Sequence, residues 1–173
     1  MEFKCTETLH HPLPIVWETI RDRLPEIAAL QDDMEYVKVI KRTKKKPDGV
    51  HVISHWQAAP PLPAMLKSMI KPEMMLWTED AIWDNETHSS QFSIETHYKV
   101  EDISCIGSIA CTKAGKGTKV TFSGTFSIKK TAKSSIFLTG FVLSAIEALA
   151  ARLIPHNFSR VMRSLDDTIR DEQ

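Results

Sequence analysis

The sequence predicts an α+β chain: a curved antiparallel sheet of about seven strands, a long C-terminal helix in its concave face, and two short helices. Three observations carry this. Four β-like runs follow one another between Met74 and Lys129, joined only by short turn sequences. A further pair of β-like runs flanks Pro47-Asp48-Gly49, which reads as a hairpin turn. The last element, from Ser134 to about Asp171, carries an apolar half and then an amphipathic half with the 3.6-residue period of a helix. A chain of 173 residues suits one domain spanning 1–173.

Phe3 to Leu9 alternates apolar and polar residues, as a half-buried strand does. His10-His11-Pro12-Leu13-Pro14 ends it, and Pro14 suits a first helical turn. Ile15, Val16, Ile20, Leu24 and Ile27 recur at helical spacing, and Pro25 predicts a break into a shorter helix ending near Ala29. Met34 to Lys45 and Val50 to Gln57 form the hairpin. Pro60-Pro61-Leu62-Pro63 is a stiff connection into a short helix, Ala64 to Ile70, stopped near Pro72.

The next runs are Met74 to Asp84, His88 to Val100, Ile103 to Thr112 and Thr118 to Lys129. In the last, Val120, Phe122, Gly124, Phe126 and Ile128 alternate strictly with Thr and Ser. Such a series makes an antiparallel meander. Ser134 is a candidate N-cap for the final helix. Running straight it would be roughly 56 Å long, against a radius of gyration of about 16 Å for a compact chain of this length, so Pro155 is the expected kink.

Composition excludes several classes. Apolar residues are 42% and charged residues 25%, which argues against disorder, collagen and coiled coil. Lys+Arg and Asp+Glu are 22 each, so the long-range field of a dedicated nucleic-acid binder is missing. Cys5, Cys105 and Cys111 form an odd set without a CxxC pair, as in a reduced, cytoplasmic protein. The first residues lack the apolar run of a secretory signal, so the sequons at Asn85 and Asn157 read as chance. Ile136 to Ile154 is the most membrane-like stretch, yet Glu147 and Arg152 would each cost ~2.5–3.5 kcal/mol at a bilayer centre. It reads as a buried helix.

The opening β–α segment Phe3 to Leu30, and Thr118-Lys-Val-Thr-Phe-Ser-Gly-Thr-Phe followed by a long helix, resemble the START-like superfamily, also called SRPBCC, over essentially the whole chain. Two local features are similar to PRELI-type lipid-transfer proteins: His55-Trp56, and Leu62-Pro63-Ala-Met-Leu-Lys67-Ser68-Met-Ile70. The resemblance implies a helix-grip fold and a single START-like domain. It also implies a cavity between sheet and C-terminal helix that takes a lipid or another hydrophobic small molecule.

The residues themselves offer little catalytic chemistry. His51 and His55 share a strand face but lie roughly 13 Å apart along an extended chain, too far to chelate one ion. No Cys–His cluster has zinc spacing, GxSxG is missing, and Gly115-Lys-Gly-Thr joins strands as a hairpin turn rather than a phosphate loop. No metal or cofactor is expected.

One carboxylate stands out. On Met74 to Asp84 apolar residues occupy both parities, so whichever face turns inward carries Glu79 or Asp80. The heavier, Trp-bearing face selects Glu79, which inside a cavity could fix a ligand hydroxyl or act as an acid/base with raised pKa. The plainer alternative is a strand at the rim, with Glu79 in water or paired to Lys.

Trp56, Trp77, Glu79, Tyr98, Phe122 and Phe126 are the candidate cavity wall on the sheet, with Leu138 and Val142 facing them from the helix. In any sheet these aromatics also simply make core. Met65, Met69, Met74 and Met75 suit an adaptable lid, with Met65 and Met69 as ligand contacts, or plain gap-filling. Lys38, Lys41, Arg42, Lys44, Lys45 and Lys46 surround one hairpin, and Lys129, Lys130 and Lys133 make a second basic group. A solvated tip accounts for the first. The functional alternative is transient docking of Lys44, Lys45 and Lys46 on anionic membrane, worth about 1 kcal/mol per basic residue. No aromatic interleaving supports nucleic acid.

Three readings follow. The first is binding or transfer of a lipid-like or other hydrophobic small molecule, without chemistry. The second is a polyketide cyclase/aromatase-like enzyme on the same scaffold, needing convergent polar groups of which Glu79 is the first. The third is an interaction module whose groove holds a partner helix.

Overall fold

The computed structural model describes residues 1–59, 61, 72–97, 103–128 and 140–172, excluding the side chains of Met74, residues 140–143, 145 and 146. The elements are β1 (Glu2–Leu9), α1 (Leu13–Ala29), β2 (Met34–Lys45), β3 (Gly49–Ala58) and a 3-10 turn (Pro72–Met75). They continue with β4 (Leu76–Asp84), β5 (Ser89–Thr96), β6 (Ile103–Ala114), β7 (Gly117–Ile128) and α2 (Gly140–Asp171). The seven strands form one antiparallel, curved sheet in the order β1-β7-β6-β5-β4-β3-β2. Only β1 departs from the meander, returning to pair with β7 along its whole length.

Strand alternation sorts the faces. Cys5, Leu9, Val52, Trp56, Ala81, Trp83, Phe92, Ile109 and Val120 turn inward and are buried. They form one cluster with Val16, Ile20 and Ile27 of α1 and with Phe158, Met162, Leu165 and Ile169 of α2. These four α2 residues recur at spacings of four, three and four, a single helical stripe laid on the concave face. Each fully buried Val, Leu or Ile contributes about 1.5–3 kcal/mol of transfer free energy.

The expected break at Pro25 does not occur: α1 is continuous through it. Proline removes one N–H, which leaves the Arg21 carbonyl without its helical partner. The Arg42 guanidinium of β2 donates to that carbonyl at 3.4 Å, and pairs with the Asp22 carboxylate beside it. A tertiary donor thus replaces the lost helical one, and Arg42 leaves the group of free basic residues. Pro155 likewise does not interrupt α2. The carbonyl it strands belongs to Ala151, which is exposed, so water can satisfy it.

The strand expected from Met74 begins at Leu76, because Pro72–Met75 forms a 3-10 turn to which Pro72, with its fixed φ, is suited. The run expected from His88 is a strand over Ser89–Thr96, followed by a bend at His97. The short helix at Ala64 to Ile70, Pro60, residues 98–100, the Lys129, Lys130 and Lys133 group and the Ser134 cap lie outside the described residues. The hairpin turn at Gly115-Lys116 has two residues, with Gly115 at φ 62°. Asn85 is occupied: its Oδ1 accepts from Trp17 Nε1 at 3.0 Å and from Arg21 at 2.8 Å, tying α1 to the β4–β5 turn. No helix among the described residues is long and apolar enough to cross a membrane.

Gly107 and Gly124 face each other across β6 and β7. A Cβ on Gly107 would lie 2.6 Å from the Phe92 ring, and one on Gly124 would lie 2.8 Å from the Phe3 ring. Bare backbone here lets two aromatic rings approach the sheet closely. Gly107→Ala should therefore destabilise the fold by about 1–3 kcal/mol, read as a lower urea midpoint. A midpoint unchanged from wild type would show that both the Phe92 ring and the Ser123 carbonyl, which a Cβ here would also meet, can move aside at no cost.

Candidate functional site

The inward stripe of α2 does not fill the concave face at one end. Between β3, β4 and β5, the end of α1 and the middle of α2 lies a cavity of about 290 Å³. Its sheet wall includes Trp56, Trp77, Glu79, Phe92 and Phe122, and its helix wall includes Ile154, Asn157, Phe158 and Met162. Phe122 stacks between Phe92 and Phe158, at 5.5 and 5.6 Å between ring centroids, and so joins the two walls. Trp56 and Trp77 are direct cross-strand partners and stack nearly parallel, 10° apart at 6.1 Å.

Trp56, Trp77, Glu79 and Phe122, singled out in the sequence, thus come together on one wall. Phe126 packs against the buried core and does not line the cavity. Met65, Met69, Tyr98 and Leu138, and the side chain of Val142, lie outside the described residues. Sequence reasoning missed Phe92 and Ile94 of β5 and the described helix wall, Ile154, Asn157, Phe158 and Met162. Phe92 carried a usable signal, since its register partner Ala81 shares the face of Glu79.

Glu79 is the chemical centre of this cavity. Its cross-strand partner is Ser54, buried on β3. The Trp56 indole N–H donates to Ser54 Oγ at 2.8 Å, and this pair lies beside the Glu79 carboxyl. What surface Glu79 retains opens on the cavity. Burial pushes its carboxyl up to about 7, against the opposing pull of Trp56 and Ser54, which favour the anion. Cys105 lies two strands away in the same cross-sheet row, through Ile94. Burial first, then the nearby Glu79 charge, raises that thiol to about 11, so it stays protonated at neutral pH.

At its mouth the cavity meets an open polar cleft of about 820 Å³, with which it shares Gln31 and Asp33. Two cross-links close this seam. Arg160 of α2 pairs with the buried Asp33 carboxylate at 3.1 Å, and Gln31 Nε2 donates to Ser164 Oγ at 3.0 Å.

The convex face holds the other histidines of interest. His51 bonds to Asp80 at 2.8 Å, and His55 packs edge-on against His97 at 5.1 Å. Among the described residues no three His, Cys, Asp or Glu side chains converge as metal ligands. Lys44, Lys45 and Lys46 are exposed at the far end of the hairpin. Met34 and Ala58 of the same hairpin line the cavity. At ~3.3 Å per residue, the basic tip is about 36 Å from that end.

The raised Glu79 carboxyl has a consequence for stability. Its folded pKa lies above the unfolded value, so the unfolded chain loses its proton first as pH rises. Stability from this group is therefore intact below about pH 4.5 and declines until about pH 7. The loss amounts to about 3 kcal/mol, at ~1.36 kcal/mol for each pH unit between the two values. Glu79→Gln should remove that decline, making the variant more stable than wild type at pH 8 but not at pH 4.5, by urea unfolding at both. A constant difference across this range would place the carboxyl in contact with bulk water.

No protein-family model matches the chain, and no curated protein sequence matches it. Solved structures do. TTHA0849 from Thermus thermophilus aligns with a TM-score of 0.69 at 19% identity, over 100% of this chain and 99% of its own. The Zhui aromatase/cyclase from Streptomyces sp. R1128 aligns at 0.68 and 12% identity, over 98% and 93%. Ara h 8.0201 aligns at 0.57 and 11% identity, over 99% and 98%. None of the three is described as a PRELI-type protein. At these identities the likeness establishes the architecture: the chain has the helix-grip fold, a curved seven-stranded antiparallel sheet closed by its C-terminal helix.

Proposed function

We propose that the chain binds a hydrophobic small molecule in the cavity between sheet and α2 and carries it without chemical change. The observation that carries this reading is the cavity itself, lined mostly by apolar and aromatic side chains around the Glu79 carboxyl. Pockets of about 300–1,000 Å³ with few polar groups are typical of small-molecule sites. Trp56, Trp77, Glu79 and Phe122 are assigned as contacts, joined by Phe92 and Phe158. The same reading places the protein in the cytoplasm, on three cysteines that are buried and free.

Glu79 also supports a second reading, an enzyme similar in kind to the aromatase/cyclase that shares the fold. A carboxyl titrating near 7 is suited to general acid–base work. Turnover of a polyketide-type substrate that disappears in Glu79→Gln would favour it over the carrier.

Membrane docking through Lys44, Lys45 and Lys46 is a separate element of the proposal, supported by their exposure at one tip. Because that tip is far from the cavity, docking there would tether the protein rather than deliver its ligand.

Native mass spectrometry of the purified chain, with organic extraction, tests the carrier reading. A co-purifying apolar molecule is expected, and Phe122→Asp, which puts a charge between two stacked rings, should release it. An empty protein that ignores a panel of apolar compounds would overturn the reading. For the tip, replacing Lys44, Lys45 and Lys46 by Glu should weaken cosedimentation with phosphatidylserine vesicles at low salt. Indifference to salt and to the substitution would leave the tip a solvated turn.

A further inference from the structure

Charge balance in the cavity specifies more than an apolar ligand, and this step rests on the ligand-binding reading above. The described lining holds two carboxyl groups, Asp33 and Glu79, and no Lys, Arg or His. Asp33 has its counter-charge, since Arg160 of α2 pairs with it at 3.1 Å. Glu79 forms no ion pair among the described residues. Ser54 stands opposite it at fixed register, with its oxygen already taking the Trp56 N–H, so the Ser54 hydroxyl proton is left for the carboxyl. One neutral hydroxyl orients a carboxylate but does not compensate its charge. Acids are seldom buried without a partner, and the surface that Glu79 keeps opens on the cavity.

We propose that the ligand is a compact apolar molecule carrying a protonated amine, held through that nitrogen by the Glu79 carboxylate. The ammonium supplies the counter-charge that the described lining lacks, and its N–H groups donate to the carboxylate in charge-assisted hydrogen bonds. The neighbouring rings suit a cation as well. Trp77 lies two residues from Glu79 on the same strand face, and Trp56, the cross-strand partner of Trp77, lies one diagonal step from Glu79. The two indoles are nearly parallel, 10° apart, and the faces of Trp rings attract cations. A neutral ligand would leave the Glu79 charge unmatched. A carboxylate placed beside it would bring a second acid into an apolar site, where like groups cannot both ionise.

Moving an ammonium out of water costs solvation, so the position of its partner decides whether binding gains. Glu79 is already withdrawn from water when the chain folds, and binding adds only the desolvation of the ammonium. In the empty cavity burial pushes the carboxyl up; a cation beside it acts in the opposite direction, as Ser54 does. The apolar remainder of the ligand then meets Ile94 of β5, Leu24 and Ala28 of α1 and Ile154 of α2. Volume limits that remainder: about 290 Å³ is that of about ten water molecules at ~30 Å³ each, suited to a molecule of a few rings.

Three matched probes test this by isothermal titration calorimetry on the full chain at pH 8: 2-naphthylmethylamine, which is protonated there, 2-naphthylmethanol and 2-naphthoate. The amine should bind at least about tenfold more tightly than either of the others, the equivalent of ~1.4 kcal/mol. Glu79→Gln keeps the shape of the side chain and removes its charge. It should bring the amine to within about twofold of the alcohol, and its retained affinity for the alcohol shows that the variant is folded with an open cavity. Equal binding of amine and alcohol by wild type, an amine preference that survives Glu79→Gln, or tightest binding of 2-naphthoate overturns the proposal and leaves the carrier reading standing. Binding of none of the three also overturns it, and the carrier reading falls with it when extraction of the purified chain yields no apolar molecule.

Discussion

The structure depends on how far the apolar stripe of α2 reaches along the concave face. Where Phe158, Met162, Leu165 and Ile169 meet the sheet and α1, side chains interlock and exclude water. Toward the N-terminal side of that contact the packing opens into the cavity, bounded by Ile154 and Asn157 on one side and the Trp56–Trp77 pair on the other. One set of contacts thus stabilises the fold and also leaves the enclosed volume. Phe122 belongs to both, because its ring is part of the core stack and part of the cavity wall.

A buried carboxyl in such a place costs stability, and the arrangement limits that cost. Ser54 sits opposite Glu79 at fixed register on the neighbouring strand, and the Trp56 N–H holds its hydroxyl in place. They lessen the rise in the Glu79 pKa without cancelling it. Polar residues that serve the fold behave differently. Arg42 with Asp22, Arg160 with Asp33 and Asn85 with Trp17 pair polar groups where elements join, and each is satisfied by a partner on the other element. Glu79, on the sheet wall of the cavity, opens on space instead.

Fold and site were not equally legible in the residue order. The alternation of Val120, Phe122 and Phe126 marked the inward face of β7 directly, since a period of two is a local property of an extended chain. The same argument reduced the inward acid of β4 to Glu79 or Asp80, and the weight of the Trp-bearing face favoured Glu79. Pro25 was misread because its lost hydrogen bond is replaced by Arg42, seventeen residues further along and on another element. Phe126 has the pattern of a wall residue and packs in the core instead, because the sheet surface extends beyond the unfilled volume.

By itself, then, the sequence determined which residues alternate, where the turns fall and which face of each strand is apolar. These follow from backbone periodicity and from the special conformations of Pro and Gly, both local. Only the tertiary structure decided that a cavity exists, that Asn157 lines it from the helix, and that Ser54 and Trp56 lie beside Glu79. A cavity is the volume that packed side chains fail to fill. It depends on the register of several strands and the seating of one helix, relations between residues far apart in the chain.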